Sequence, residues 1–294
     1  MGMPFYVAPE QVMKDRADYA RKGIARGRSL VAAVFADGIL LCAENPSATL
    51  RKISEIYDRI AFAGVGRYNE FDQLRVAGVR HADLKGYSYS REDVDARSLA
   101  NAYAQALGQV FTHEMKPLEV EILVAEVGRE LGNDQMFHIL YDGTVIDQPD
   151  RVVLGGDAEA IAGRFEAAHD RAGSLAEVLA AAMAALAGPD RTLDAPAVEA
   201  AVLDRGNGRR TFRRLTDEAI TDALGETANG GSTTAGDESG GDDARAESGG
   251  TAPGPDAAGA PASRPGDEPQ PGGEGAEADD DDDAEGSGDD EPPS

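Results

Sequence analysis

Between Pro9 and Pro46 the apolar positions change period twice, and the elements this implies organise the rest of the chain. Over PEQVMKDRADYARKGIARG, Met13, Ala17, Ala20 and Ile24 recur at helical spacing, which predicts an amphipathic helix with one thin apolar stripe. Pro9 suits a first helical position, where a missing N–H costs nothing. Gly23 and Gly27 are expected to loosen and end the helix through left-handed conformations. SLVAAVFA is an almost unbroken apolar run, too short for a globular helix and suited to a strand covered on both faces. Asp37-Gly38 predicts a two-residue type I′ turn, with ILLCAEN returning as the partner strand.

The later pattern alternates strand blocks with helix pairs. KISEIYD predicts a short strand turned by Asp58-Arg59 into a second strand, IAFAGVG. RYNEFDQLRVAGVRHADLK predicts a helix with Phe71, Leu74, Gly78 and Ala82 on one face. Ser90 and Asp93 are the expected cap of the next helix, whose stripe is Leu99, Ala102, Tyr103, Ala106, Leu107, Val110 and Phe111. Pro117 lies just past its end. LEVEILVAEV and QMFHILYDGTVI predict strands, with a second hairpin at Asp142-Gly143. RVVL runs into Gly155-Gly156, and two alanine-rich helices follow, the second opened by a Ser174/Glu177 capping box. A helix from about Asp194, a strand near Arg210 to Leu215 and a short helix from Thr216 complete the pattern. Antiparallel hairpins flanked by helix pairs fit two sheets packed face to face, each covered outside by helices.

Composition changes this picture only at the C-terminal end. Residues 226–294 hold twenty Asp and Glu against two Arg and no aromatic residue, a net charge of −18. Residues 1–225 then carry −8 of the chain's −26, from 34 acids and 26 bases. A Gly, Pro, Ala, Ser and acid segment cannot bury enough apolar surface to offset the entropy of ordering it. The expected organisation is a short N-terminal segment over 1–8, a folded domain over 9–225 and a disordered acidic tail over 226–294. The acidic balance and the lack of a Lys/Arg cluster argue against nucleic acid as partner. The N-terminus lacks a signal-peptide pattern, and no run approaches the roughly 18 apolar residues of a membrane span, so a cytoplasmic protein with no membrane contact is expected. Met1-Gly2 is followed by a run that departs from the usual myristoylation pattern, and Met3 is an equally good start.

Candidate chemistry is sparse. Cys42 sits inside an apolar strand and reads as a small buried hydrophobe. His81, His113, His138 and His169 have no metal-binding spacing. Val152-Val153-Leu154-Gly155-Gly156 before a helix mimics the approach to a phosphate loop but lacks GxGxxG and GxxxxGK, so a close strand–helix junction is the reading. The Asp279–Asp283 run has no EF-hand spacing. Neither a metal nor a cofactor is expected.

Residues in order along the chain carry a resemblance to the proteasome α subunits of the actinobacterial type. They are Ala8-Pro9-Glu10-Gln11, the run Tyr19 to Ser29, Ala43 to Ser47, Lys52-Ile53-Ser54-Glu55, Tyr57-Asp58-Arg59, Tyr68 to Phe71, Ala100 to Gln105, Tyr141-Asp142-Gly143 and Gly155-Gly156. The resemblance spans about residues 5–224. It implies an α/β (α+β) four-layer α/β/β/α sandwich of the N-terminal-nucleophile hydrolase type.

In the catalytic relatives of that fold an N-terminal threonine attacks with its own amine as base. The corresponding place here is Arg28-Ser29, behind an intact helix, with Glu44 where the catalytic pattern carries an acid. Thr233-Thr234 after Gly-Gly-Ser imitates a processing junction, but cleavage there would release a peptide without a core. The resemblance therefore implies a non-catalytic subunit. Seven copies would form an outer ring gated by Met3, Pro4, Phe5, Tyr6 and Val7. The helix bearing Met13, Ala17, Ala20 and Ile24 would contact ring neighbours and a ring of proteasome β subunits. Lys52 would line an inter-subunit pocket that docks the C-terminal carboxylates of an AAA+ proteasomal ATPase ring, for degradation of unfolded proteins carrying a prokaryotic ubiquitin-like tag. Two other classes share the fold: a self-compartmentalised peptidase and a free-standing scaffold.

Overall fold

The computed structural model describes residues 8–230, the side chains of 227–230 excepted. The expected gate residues Met3 to Val7 and almost all of the acidic tail lie outside the described residues. The chain opens with helix α1 (Pro9–Ile24), then strands β1 (Leu30–Phe35), β2 (Gly38–Glu44), β3 (Ile53–Tyr57) and β4 (Ile60–Gly66). Helices α2 (Tyr68–Ser88) and α3 (Ala96–His113) precede β5 (Val120–Glu126), β6 (Gln135–Ile139), β7 (Val145–Asp147) and β8 (Arg151–Leu154). Helices α4 (Ala158–Ala168) and α5 (Leu175–Ala187), strands β9 (Val198–Asp204) and β10 (Phe212–Arg214), and α6 (Asp217–Gly230) complete the described chain. The last helix runs five residues beyond the expected domain end at 225.

Two antiparallel sheets result, ordered β10-β9-β2-β1-β8 and β3-β4-β5-β6-β7. Side-chain alternation divides each apolar run between two cores. From β1, Leu30, Ala32 and Val34 face the space between the sheets, meeting Ala61, Ala63 and Val65 of β4 and Leu123 and Ala125 of β5. Val31, Ala33 and Phe35 face the opposite way, onto Ile161 and Phe165 of α4 and Val178 and Leu179 of α5. Ile60 and Phe62 of β4 turn outward to Phe71 of α2 and to Leu99, Tyr103 and Leu107 of α3. The four layers are thus helix, sheet, sheet, helix, as the resemblance implied. Each fully buried Leu, Ile or Phe contributes about 1.5–3 kcal/mol, so the three clusters dominate the favourable side of folding.

Four local expectations are corrected. The first hairpin turns on Ala36-Asp37, not Asp37-Gly38: Phe35 pairs with Gly38, which is already the first residue of β2. Gly38 is required by its neighbour, because a Cβ there would lie 1.9 Å from the carbonyl oxygen of Leu203 on β9. Ser90 caps only a 3-10 turn (Arg91–Asp93), while Asp95 caps α3 by accepting from the Ser98 N–H at 2.8 Å. Gly23 and Gly27 take no left-handed conformation. Gly23 lies inside α1, where a Cβ would fall 2.3 Å from the Glu119 carboxylate. The helix expected from Asp194 is a 3-10 turn (Ala195–Ala197) followed by β9. Alanine-rich APAVEAAVLD favours helix locally, but all seven residues of β9 pair with β2, and Val198 to Leu203 are buried. Tertiary burial outweighs propensities of a few tenths of a kcal/mol per residue. The Ser174/Glu177 capping box forms as expected.

Candidate functional site

Where β1 begins, β2 ends and β3 begins, the α1–β1 and β2–β3 connections bring a buried polar cluster together. Glu199 on β9, only 3% exposed, is its hub. Its Oε2 accepts from Asn45 Nδ2 at 2.7 Å and from the Lys52 N–H at 2.9 Å, and its Oε1 from the Ile53 N–H at 3.2 Å. Arg214 of β10 pairs with Oε1 and donates from Nη2 to the Ile53 carbonyl at 2.6 Å. One buried carboxylate thereby holds the start of β3 against the other sheet. Sequence reasoning missed it because the stretch from about Asp194 read as helix. The available signal was a lone acid in the apolar run V-E-A-A-V-L.

Lys52 is half-buried and held from behind by these bonds. Its Nζ donates to the Arg28 carbonyl at 2.5 Å. Burial is the largest influence on its ammonium and pushes it down to about 8; Glu199 and Glu44 oppose that shift, and Arg28 adds to it. Glu44, buried at the end of β2, receives a forked pair of hydrogen bonds from Arg191 at 2.9 and 2.8 Å and a single one from Arg28 Nη1. The Arg191 hydrogen bonds, with support from Arg28, hold its carboxyl below the usual range. The expected site residue Lys52 and the acid Glu44 are therefore neighbours in one network, with Arg28 as the link.

Helix α1 leads directly into this network. Ala20 and Ile24 of the expected contact stripe are buried within the chain, in the core between the sheets. Ala17 is half-buried against that core, and Met13 remains 38% exposed. Arg16 Nη1 donates to the Phe111 carbonyl at 2.6 Å, fastening the helix to the end of α3. Val12 and Tyr19, with Met115 (96% exposed) and Pro117, form one open apolar groove between α1 and the α3–β5 connection.

The other candidate groups have ordinary surroundings. Cys42 is buried among apolar side chains of β2, which pushes its thiol up to about 12 and removes its reactivity. His169 Nε2 meets the Val34 carbonyl at 2.8 Å and its ring stacks on Phe165. His138 is buried, with Nε2 3.4 Å from Glu121 Oε2, and His113 Nδ1 meets the Gln109 carbonyl within α3. Among the described residues no cluster of three His, Cys, Asp or Glu could hold a metal, and no helix is long and apolar enough to cross a membrane.

Comparison with known proteins agrees with this architecture. The family model described as "Proteasome subunit" matches residues 24–191. A proteasome subunit alpha of Acidimicrobium ferrooxidans is 65% identical over 226 residues, covering 77% of this chain and 97% of that protein. Those of Sanguibacter keddieii and Xylanimonas cellulosilytica are 58% and 57% identical, each over 76% of this chain and covering 90% and 97% of their own lengths.

Proposed function

The chain belongs to the proteasome subunit family, and from that premise we propose that it is the gating and docking α subunit of a bacterial 20S core particle. It is the non-catalytic type of subunit. The observation that supports this reading most directly is the continuity of α1 with β1. A nucleophile at the start of β1 would need a free amine near Ser29, but Ala20 and Ile24 upstream are part of the core between the sheets. Cleavage before Ser29 would remove them and expose that core. Peptide-bond hydrolysis then belongs to a partner β subunit.

In this reading seven copies close a ring through the exposed half of α1 and the apolar groove beside it, and the ring stacks on a β ring. Met3 to Val7 crowd the axial pore. Lys52 receives the C-terminal carboxylate of an ATPase ring at the seam between neighbours, because a carboxylate entering a partly dry groove needs a fixed cation. The ring admits unfolded proteins, those bearing a prokaryotic ubiquitin-like tag among them, in the cytoplasm. Co-expression with the cognate β subunit followed by negative-stain microscopy tests the assembly: seven-fold stacked rings are expected. A strictly monomeric chain would favour the scaffold class instead.

A further inference from the structure

A cleft of about 330 Å³ opens beside the polar network, between the start of β1 and helices α4 and α5. Its wall includes Arg28, Arg164 and Arg191, with Ser29, Glu44 and Asp157. Lys52 is not on that wall; its amine turns to the Arg28 carbonyl. Three features of the cleft converge on a negatively charged occupant.

The first is charge. Arg28 and Arg191 share the single carboxylate of Glu44. Arg164 donates from Nε and Nη2 to the Ala185 carbonyl at 3.0 and 2.8 Å and pairs with no carboxylate among the described residues. Three guanidinium groups therefore face two carboxylates. The second is the α4 N-terminus. Asp157 makes no capping bond, and the first-turn N–H groups of Glu159 and Ala160 donate to no acceptor among the described residues. Such N–H groups and the helix dipole favour an anion. The third is Ser29. Its neighbours in β1 alternate, Leu30 toward the sheet interface and Val31 toward the helices, so Ser29 projects to the helix side. It is 7% exposed and lies on the cleft wall, and its hydroxyl, which is not sealed from solvent, has no hydrogen-bond partner among the described residues. A hydroxyl on the cleft wall that is not used by the fold is free to donate to an oxyanion held there.

We propose that this cleft is a binding site for one small oxyanion of the phosphate or carboxylate class, held by Arg164, the first turn of α4 and the Ser29 hydroxyl, with Arg28 and Arg191 completing the positive wall. The site is separate from the Lys52 docking role and does not depend on the assembly reading. Its occupant would, however, compete with Glu44 for Arg28, whose carbonyl holds Lys52.

Equilibrium binding of inorganic phosphate and of acetate to the full-length protein, at constant ionic strength, tests the proposal. Saturable binding of at least one is expected; phosphate alone would assign a tetrahedral anion and acetate alone a carboxylate. Arg164→Gln should weaken binding about tenfold, the typical effect of losing one charge-assisted contact. Ser29→Ala, whose hydroxyl bonds nothing in the fold, should weaken it without lowering the thermal midpoint, which keeps the test valid if Arg164→Gln is unstable. Arg210→Gln, whose pair with Glu55 lies outside the cleft, should bind as wild type. Absence of saturable binding by both probes, or unchanged affinity in Ser29→Ala together with a folded Arg164→Gln, would overturn the proposal.

Discussion

The ammonium of Lys52 lies 2.5 Å from the carbonyl oxygen of Arg28, so the residue just before β3 is tied to the connection that leads into β1. A lysine held this way is partly desolvated before any ligand arrives, and its ammonium is pushed down to about 8, chiefly by burial. Docking of an activator carboxylate should therefore be level below about pH 8 and fall above it, because the anion favours the charged amine. Folding carries the opposite sign. The folded value lies below the ordinary 10.5, so the unfolded chain binds the extra proton between about 8 and 10.5. This group should add stability as pH rises through that window. Co-sedimentation of the ATPase ring with assembled cylinders from pH 7 to 9.5 reads the docking limb. Unchanged binding across that range would remove Lys52 from the contact.

Lys52→Ala should preserve rings and basal small-peptide cleavage while abolishing ATPase-dependent degradation of a tagged protein. One such pair contributes only about 1–3 kcal/mol, but several pockets engaged by one ring multiply the effect through effective concentration. Lys52→Arg should rescue poorly, since a planar fork does not replace a compact ammonium. Degradation at the wild-type rate by the alanine variant would return Lys52 to an ordinary surface role.

Glu199→Gln should destabilise the folded chain strongly. The carboxylate answers Arg214, Asn45 and two backbone N–H groups at once, and removing its charge leaves the half-buried Arg214 without its carboxylate. Breaking a buried pair in this way costs about 3–5 kcal/mol. Urea unfolding at neutral pH gives the value, and a loss near zero would show that the network tolerates an amide.

The two halves of α1 should separate in mutagenesis. Ile24→Ala empties a buried site between the sheets and should cost about 2–5 kcal/mol in the unassembled chain. Met13→Ala changes an exposed position and should alter monomer stability by no more than about 0.5 kcal/mol while weakening ring closure. Thermal unfolding and mass photometry read the two effects. Normal rings from Met13→Ala would place the subunit contact elsewhere.

Deleting residues 2–8 should raise hydrolysis of short peptides by the assembled particle and leave the β site unaltered. Truncation after Gly230, which keeps α6 whole, should leave thermal stability unchanged and shift activator association mainly at low ionic strength, where the charge of residues 231–294 is least screened. Peptidase activity unaffected by the first deletion would show that Met3 to Val7 are not the barrier.

Much of this molecule was legible in the linear pattern: the amphipathic α1, the apolar β1 and β2, the long α3 stripe and the Ser174/Glu177 box are all local signals. Lys52 was singled out by the family motif around it, and its docking role stands as a proposal. What tertiary structure alone decided has a common physical reason: each case depends on a neighbour remote in sequence. Alanine-rich β9 became a strand because β2 supplies seven pairing residues and helices α5 and α6 seal its outer face. Gly38 answers to the Leu203 carbonyl, not to its own turn. Glu199 lies 147 residues from the Lys52 N–H it binds, so no window along the chain contains both. Periodicity reports which side of an element is apolar; only the packed sheets determine which buried carboxylate meets which backbone.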